Sequence, residues 1–400
     1  MTARTRLWVL VVSTPVIAFT LIGGYMGQAM TRDETLRSLR TFEDVMQLVV
    51  DHYVENVDVR KAMRGAMRGL TDGLDVDSAF LGPDLVKAFE SKDAQPPAET
   101  GIDLARGYYL RVVSVRDGSP AAKAGIRTGD YLRAIDGRST RDMSAFEGTR
   151  LLRGGVGSKT TLLVIRGNAA EPHEVAVARD RLAAPDVTSR MANGSTGYIR
   201  VAEFTANSAA RIRQAVDALA KTGATRYVID LRGNSRGDLE QGVDAARLFV
   251  RAGTLAVKVS RDPAARADAK DKTRKETIAT QANDGAVSAP VALLVDTGTS
   301  GAAELFAAAL DSNNRAELVG ERTIGRTARQ QLVKLPDGSG LLLTSIRYLS
   351  PSSAAIHEKG LTPDVHVPEP DVDFGVDPPK VDAALEKAIE RLTTPAAKAA

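Results

Sequence analysis

The stretch Ala289–Glu304, APVALLVDTGTSGAAE, constrains the fold of this 400-residue chain more than any other. Its first part is a short continuous apolar run, which reads as a buried strand. Asp296 to Gly301 are small or polar, and Ala302-Ala303-Glu304 starts a helix. A buried strand that turns through small residues straight into a helix presents one side chain at a strained bend, an arrangement that exposes a nucleophile. The chain is long enough for two or three domains, because single cores rarely grow past ~250–300 residues.

Composition narrows the class. The chain is 43% hydrophobic and 26% charged, which is ordinary for a soluble globular protein. A formal charge of +3 spread over 400 residues is a slight basic excess and not a patch, so no nucleic-acid partner is expected. There is no cysteine, hence no disulfide and no thiolate metal site, which suits either the cytosol or an exported bacterial protein. His52, His173, His357 and His366 lie far apart without metal-ligand spacing, and no phosphate loop or dinucleotide fingerprint is present. No metal and no cofactor are therefore expected.

The N-terminus addresses the compartment. Arg4 and Arg6 precede Leu7–Met26, which carries no charge. A basic start followed by an apolar run of about 20 residues is long enough to span a bilayer. The positive-inside rule puts the remainder of the chain outside the cytoplasm. Gly27-Gln28-Ala29 is only a fair cleavage site. A cleaved signal and a retained anchor both fit, and the length of the run favours the anchor. The expectation is export across a bacterial inner membrane, with the chain on its periplasmic side and tethered to it.

Asp33–Lys92 reads as helical, from the three- and four-residue recurrence of apolar positions in Phe42–Val54 and again in Lys61–Leu70. Gln95-Pro96-Pro97-Ala98 is a proline-stiffened linker. Beyond it, alternation in Tyr108–Val115 gives a strand, and Pro120 and Gly125 bracket a short helix. The run Gly118–Gly137, GSPAAKAGIRTGDYLRAIDG, resembles a PDZ domain at nearly every position. That resemblance implies capture of a protein C-terminus as an added strand, with backbone N–H groups of Gly101, Ile102, Asp103 and Leu104 receiving the carboxylate. Asp103 stands where related domains prefer glycine, so a repelled carboxylate and weakened binding are expected. A PDZ domain used only for packing remains open.

The rest of the chain resembles the carboxyl-terminal processing peptidases, or tail-specific proteases. Leu74–Asp84, LDVDSAFLGPD, is similar to their L-D-P-H-S-x-Y-L-x-P-E, with Val76 and Asp77 in place of Pro-His. Arg226–Leu239, RYVIDLRGNSRGDL, is similar to D-L-R-x-N-P-G-G-x-L, with Ser235 and Arg236 in place of Pro-Gly. The family's elbow, N-x-G-S-A-S-A-S-E, aligns on Gly298, Ala302 and Glu304 and puts Gly301 at the nucleophilic serine. Its T-F-G-K-G-x-x-Q aligns on Thr323, Gly325 and Gln330 and puts Arg326 at the general-base lysine, at the family's own spacing from Gly301. Leu341–Tyr348 and Lys359–Asp364 match its closing segments.

The resemblance implies an α+β fold: an N-terminal helical segment, a PDZ domain (a small β-barrel with helices), and a β-sheet/helix peptidase-like core. The expected organisation is 1–30 signal peptide or anchor, 31–92 helical region, 99–184 PDZ domain, 185–370 core, and 371–400 C-terminal helix and tail. Arg261–Val287 is expected to be a solvated insertion loop. Glycine at 301 has no atom with which to form an acyl-enzyme. Arginine at 326 stays protonated and cannot take a proton at neutral pH. The expected function is that of an inactive pseudoprotease, with no competent catalytic residue at Gly301, Arg326 or Gln330. Its expected partners are peptide or protein C-termini, an active peptidase relative, and the inner membrane. The oxyanion-equivalent positions are Arg236, Gly237 and Ala302, and an arginine at 236 is expected to strain a turn that wants glycine. Two alternatives stay open: an active endopeptidase with Ser300 as a displaced nucleophile, and a structural envelope protein.

Overall fold

The computed structural model describes residues 36–91, 96–167, 171–182, 186–265, 271–370, 372–376 and 379–393. The candidate membrane segment Leu7–Met26 and the tail beyond Thr393 lie outside these residues, as does Gln95 of the linker. No helix among the described residues is long and apolar enough to cross a membrane.

Among the described residues the first two helices are α1 (36–52) and α2 (Val59–Asp72). The short strand β1 (Ala79–Leu81) and helix α3 (Pro83–Glu90) follow. The stretch expected to be all helical thus includes a strand. β1 pairs antiparallel with Gly340–Leu342, because Ala79 and Leu81 alternate with half-buried Phe80 and bury against that partner.

Residues 96–182 fold around one sheet, built from β2 (Ile102–Ala105), β3 (Leu110–Val115), β4 (Tyr131–Ile135), β5 (Arg138–Ser139), β6 (Lys159–Ile165) and β7 (His173–Ala178). The strand order is β2-β3-β4-β6-β7, with β5 on β4. Two helices complete it, α4 (Pro120–Lys123) and α5 (Ala145–Leu151). α4 starts where the Ser119 hydroxyl accepts from the Ala122 N–H, with Pro120 at the first helical position. It stops at Gly125, whose φ of 79° is a glycine conformation. The small core is Leu104, Leu110, Val112, Leu132, Ile135 and their neighbours.

The larger part contains β8 (Val187–Met191), β9 (Thr196–Val201), α6 (Ser208–Lys221), β10 (Arg226–Asp230), α7 (Leu239–Ala246), β11 (Thr254–Arg261), β12 (Thr273–Ala279), β13 (Val291–Val295), α8 (Ala302–Ser312), β14 (Ala316–Gly320), β15 (Ala328–Lys334), β16 (Gly340–Leu349), β17 (Val365–His366) and α9 (Ala383–Thr393). One six-stranded sheet runs β17-β14-β13-β10-β9-β8, parallel except for β8. Parallel strands are covered on both faces, and here the pleat sorts their side chains. Ile229, Leu293 and Val295 face the cluster containing α6, α7 and α8, whereas Val228, Ala292 and Leu294 pack with α9. A second sheet runs β1-β16-β11-β12, with β15 on β16. The insertion expected to be a loop contains β12, an exposed strand.

Candidate active site

β13 is buried at all five positions and ends at Val295. The turn after it is knotted by Asp296, which accepts from the Gly233 N–H at 2.9 Å, the Gly298 N–H at 3.0 Å and the Thr299 hydroxyl at 2.8 Å. Burial, with the nearby charge of Asp230, pushes the Asp296 carboxyl up despite those donors. Gly298 is obligatory, because a Cβ there would lie 2.8 Å from the Val113 carbonyl oxygen.

The bend itself is Gly301, at φ 60° and ψ −115°, directly before α8. This is the left-handed side of backbone space, which glycine reaches without penalty. A Cβ built there would meet Leu239 at 3.4 Å and the Arg326 carbonyl at 3.7 Å, which are ordinary contacts. Space for a side chain remains. α8 is held close behind by α7, where a Cβ on Gly242 would sit 1.9 Å from the Ala302 carbonyl.

Glu304, fully buried, ties the bend to the loop that faces it. It accepts from the Gly301 N–H (3.0 Å), the Gly325 N–H (2.6 Å), the Arg326 N–H (2.7 Å) and the Thr323 hydroxyl. Burial pushes its carboxyl up, and the four donors work against that. The backbones of the two aligned motifs are therefore locked together through one carboxyl group.

The side chain of Arg326 turns to other partners. Its Nε and Nη2 donate to Asp77 Oδ1 at 3.0 and 2.5 Å, and its Nη1 donates to the Leu104 carbonyl at 3.2 Å. Burial works against the guanidinium charge, but Asp77 together with the charges of Asp103 and Glu304 outweighs it and raises the pKa above the usual arginine value. Asp77 is held ready by its own loop. Asp75 accepts the N–H groups of Asp77 and Ser78 at 2.9 and 2.7 Å, and the Ser78 hydroxyl accepts from the Thr344 N–H. Gln330 sits at a bulge in β15 and reaches the Thr344 hydroxyl at 3.4 Å.

The loop after β10 approaches from the other side. Asp230, fully buried, is held low, because Arg232 and Arg200 outweigh the cost of burial. Arg236 forks onto Glu99, with Nη1 to Oε1 at 2.9 Å and Nη2 to Oε2 at 3.2 Å, and its Nε donates to Asp103 at 2.8 Å. Those carboxylates outweigh burial and raise its pKa. The backbone at Arg236 is not in the left-handed region, contrary to the expected strain. The crowded position is Gly237, at φ 111°, where a Cβ would lie 1.9 Å from the Phe204 carbonyl oxygen. Glycine is retained there.

Asp103 also accepts from the Ser235 hydroxyl at 2.6 Å and the Ser114 hydroxyl at 3.2 Å. The charge expected to repel a peptide carboxylate is thus matched by Arg236. Gly101 keeps φ 89°, and a Cβ there would collide with Ser119 at 2.3 Å. Ile102 and Leu104 are buried in β2. Ser300 is buried, its N–H donating to the Asn234 carbonyl at 2.9 Å, and no hydrogen bond among the described residues joins its hydroxyl to a base. Sequence reasoning missed the partners Asp77 and Glu99, and it used Glu304 only to align the motif. The signal was present as opposite charges at the departing positions 77 and 326.

The chain matches the model of peptidase family S41 over residues 195–367 and that of the PDZ domain over 111–166. It is 32% identical over 288 residues to a carboxyl-terminal-processing protease of Synechocystis, covering 71% of this chain and 65% of that protein. It is 30% identical over 382 residues to the carboxy-terminal processing protease CtpA of Bacillus subtilis, covering 93% of this chain and 79% of the relative. A solved photosystem II D1 C-terminal processing protease superposes with a TM-score of 0.67 at 28% identity, over 86% of this chain and 89% of that one. With its PDZ sheet, its elbow and its facing loop in place, the chain belongs to the carboxyl-terminal processing protease family.

Proposed function

We propose that this chain is an inactive member of its family, an exported pseudoprotease that binds protein C-termini or partner proteins instead of cutting them. The observation that carries the reading is Arg326. At the position of the general base stands a guanidinium hydrogen-bonded to Asp77 and Leu104, which does not give up its proton near neutral pH. The bend in front of it carries no nucleophile. Ser300 does not replace one, because it is buried and no hydrogen bond among the described residues joins its hydroxyl to a base. Regions 1–30, 31–92, 99–184, 185–370 and 371–400 are proposed as leader or anchor, helical region, PDZ domain, core and C-terminal helix with tail. The basic, apolar N-terminus supports export and tethering.

The test is hydrolysis of unstructured and tailed substrates by the purified chain. No turnover is expected. Turnover that disappears in Ser300→Ala, with contaminants excluded, overturns the reading in favour of a displaced nucleophile.

A further inference from the structure

A cavity of about 260 Å³ lies where β2 and α5 meet the core. Its lining includes the apolar Leu104, Ala145 and Phe146 together with Asp77, Gln330 and Arg326. The volume is just under the ~300 Å³ at which pockets begin to hold drug-sized ligands, so it suits a chain end and not a folded surface. The apolar part of the lining suits an apolar terminal side chain.

The loop that would receive the terminal carboxylate, Gly101 to Leu104, is compromised at its third position. Asp103 lies there, already carrying three donors. A second carboxylate beside it meets a like charge whose matching cation, Arg236, is spread over Asp103 and Glu99. Asp103 lines the cavity as well, and Arg326 is the group there with donors to spare. A guanidinium has five N–H donors, and among the described residues three are used, two on a single oxygen of Asp77 and one on the Leu104 carbonyl. Two remain on a group that lines the cavity. Guanidinium–carboxylate bonds are charge-assisted and about twice as strong as neutral ones. Arg106 lines the same cavity and adds a second positive charge, although Asp72 already pairs with it.

We propose that the cavity takes a free, apolar protein C-terminus whose carboxylate is received by Arg326, in competition with Asp77. The residue that replaced the catalytic base is then the carboxylate receptor, and the PDZ loop supplies only the neighbouring wall. This rests on the reading that the chain binds tails. It assigns the carboxylate to the core instead of the loop.

The experiment is isothermal titration of the full chain in detergent with a hexapeptide ending in leucine as the free acid, and with its amidated twin. Wild type should prefer the acid by about tenfold, the worth of one charge-assisted bond pair. Arg326→Gln should erase that preference and Arg326→Lys should keep part of it. Asp77→Asn, which keeps Arg326 and removes its competitor, should tighten the acid severalfold and leave the amide unchanged. That last variant guards against an Arg326→Gln effect that is merely loss of fold. A preference that survives Arg326→Gln, or an Asp77→Asn chain that binds both peptides as wild type does, overturns the assignment. So does binding of neither peptide at millimolar concentration. Hydrolysis of the peptide would instead sink the pseudoprotease reading and leave the receptor assignment to be judged by the acid–amide ratio.

Discussion

At Gly301 a side chain is missing from a backbone that still holds the presenting geometry, φ 60° and ψ −115°. At Arg326 the backbone is equally well held, by the same Glu304, while the side chain has gone to Asp77 and Leu104. The first position is a glycine with room beside it. The second has been built into the packing between the sheet of residues 96–182 and the core. The difference teaches that an absent group leaves room for its return, whereas a substituted group with new partners resists reversal. Arg236 belongs with the second kind, since its fork spans Glu99 and Asp103.

Glu304 holds the backbone at both positions. Replacing it with alanine strands four buried donors, and we expect the chain to lose about 4 kcal/mol in denaturant unfolding. A loss below ~1 kcal/mol would mean that the two loops do not depend on this tie, and the shared backbone anchor would fail as an explanation.

Arg326 also contributes to stability through its bonds to Asp77 and Leu104. Arg326→Ala leaves Asp77, which is 5% exposed, without its cation. A cost of about 3 kcal/mol is expected, because a buried carboxylate is left uncompensated. Asp77→Ala together with Arg326→Ala should cost clearly less than the two single changes added. Additive losses would show that the pair is not coupled.

At Gly301 the expected effect is smaller. Serine fits the space, and its strain on the left-handed side of backbone space should cost about 1 kcal/mol, read as a modest drop in unfolding midpoint. Gly301→Ser with Arg326→Lys restores both groups, yet a lysine beside Asp77 is held protonated. Labelling by a fluorophosphonate should be barely detectable in that double variant and should rise when Asp77→Asn is added. Strong labelling without the third change would erase the contrast between the two positions.

A control away from the site should give the smallest effect. Asp311, near the end of α8, has its carboxyl pushed up to about 6 by burial and by Asp364. Its folded-state pKa is above the ordinary 3.8, so its contribution to stability is present below about pH 4 and is lost as pH rises through about 6. Asp311→Asn should therefore stabilise the chain at pH 8 and have no such effect at pH 4. An equal change at both values would remove the like-charge explanation.

Much of the site was legible in order along the chain. The apolar run of β13, the small residues after it and the alanines of α8 specify a strand, a bend and a helix by local pattern alone. Gly101, Gly237 and Gly298 could be picked out as motif glycines, although the physical demand at each comes from a distant atom: Ser119, the Phe204 carbonyl and the Val113 carbonyl. β1 escaped notice because three residues carry no period of their own, and it exists only by pairing with β16. The expected strain at Arg236 was misplaced by one residue, since a motif shows that a turn is tight but not which peptide lies against its neighbour.

The sequence by itself determined the family and which residues stand at positions 301 and 326, because identity and spacing are properties of the chain. Only the tertiary structure decided where the new charges went. Asp77 and Arg326 lie 249 positions apart, Asp103 and Arg236 lie 133 apart, and an ion pair depends on distance through space, which no spacing along the chain reports.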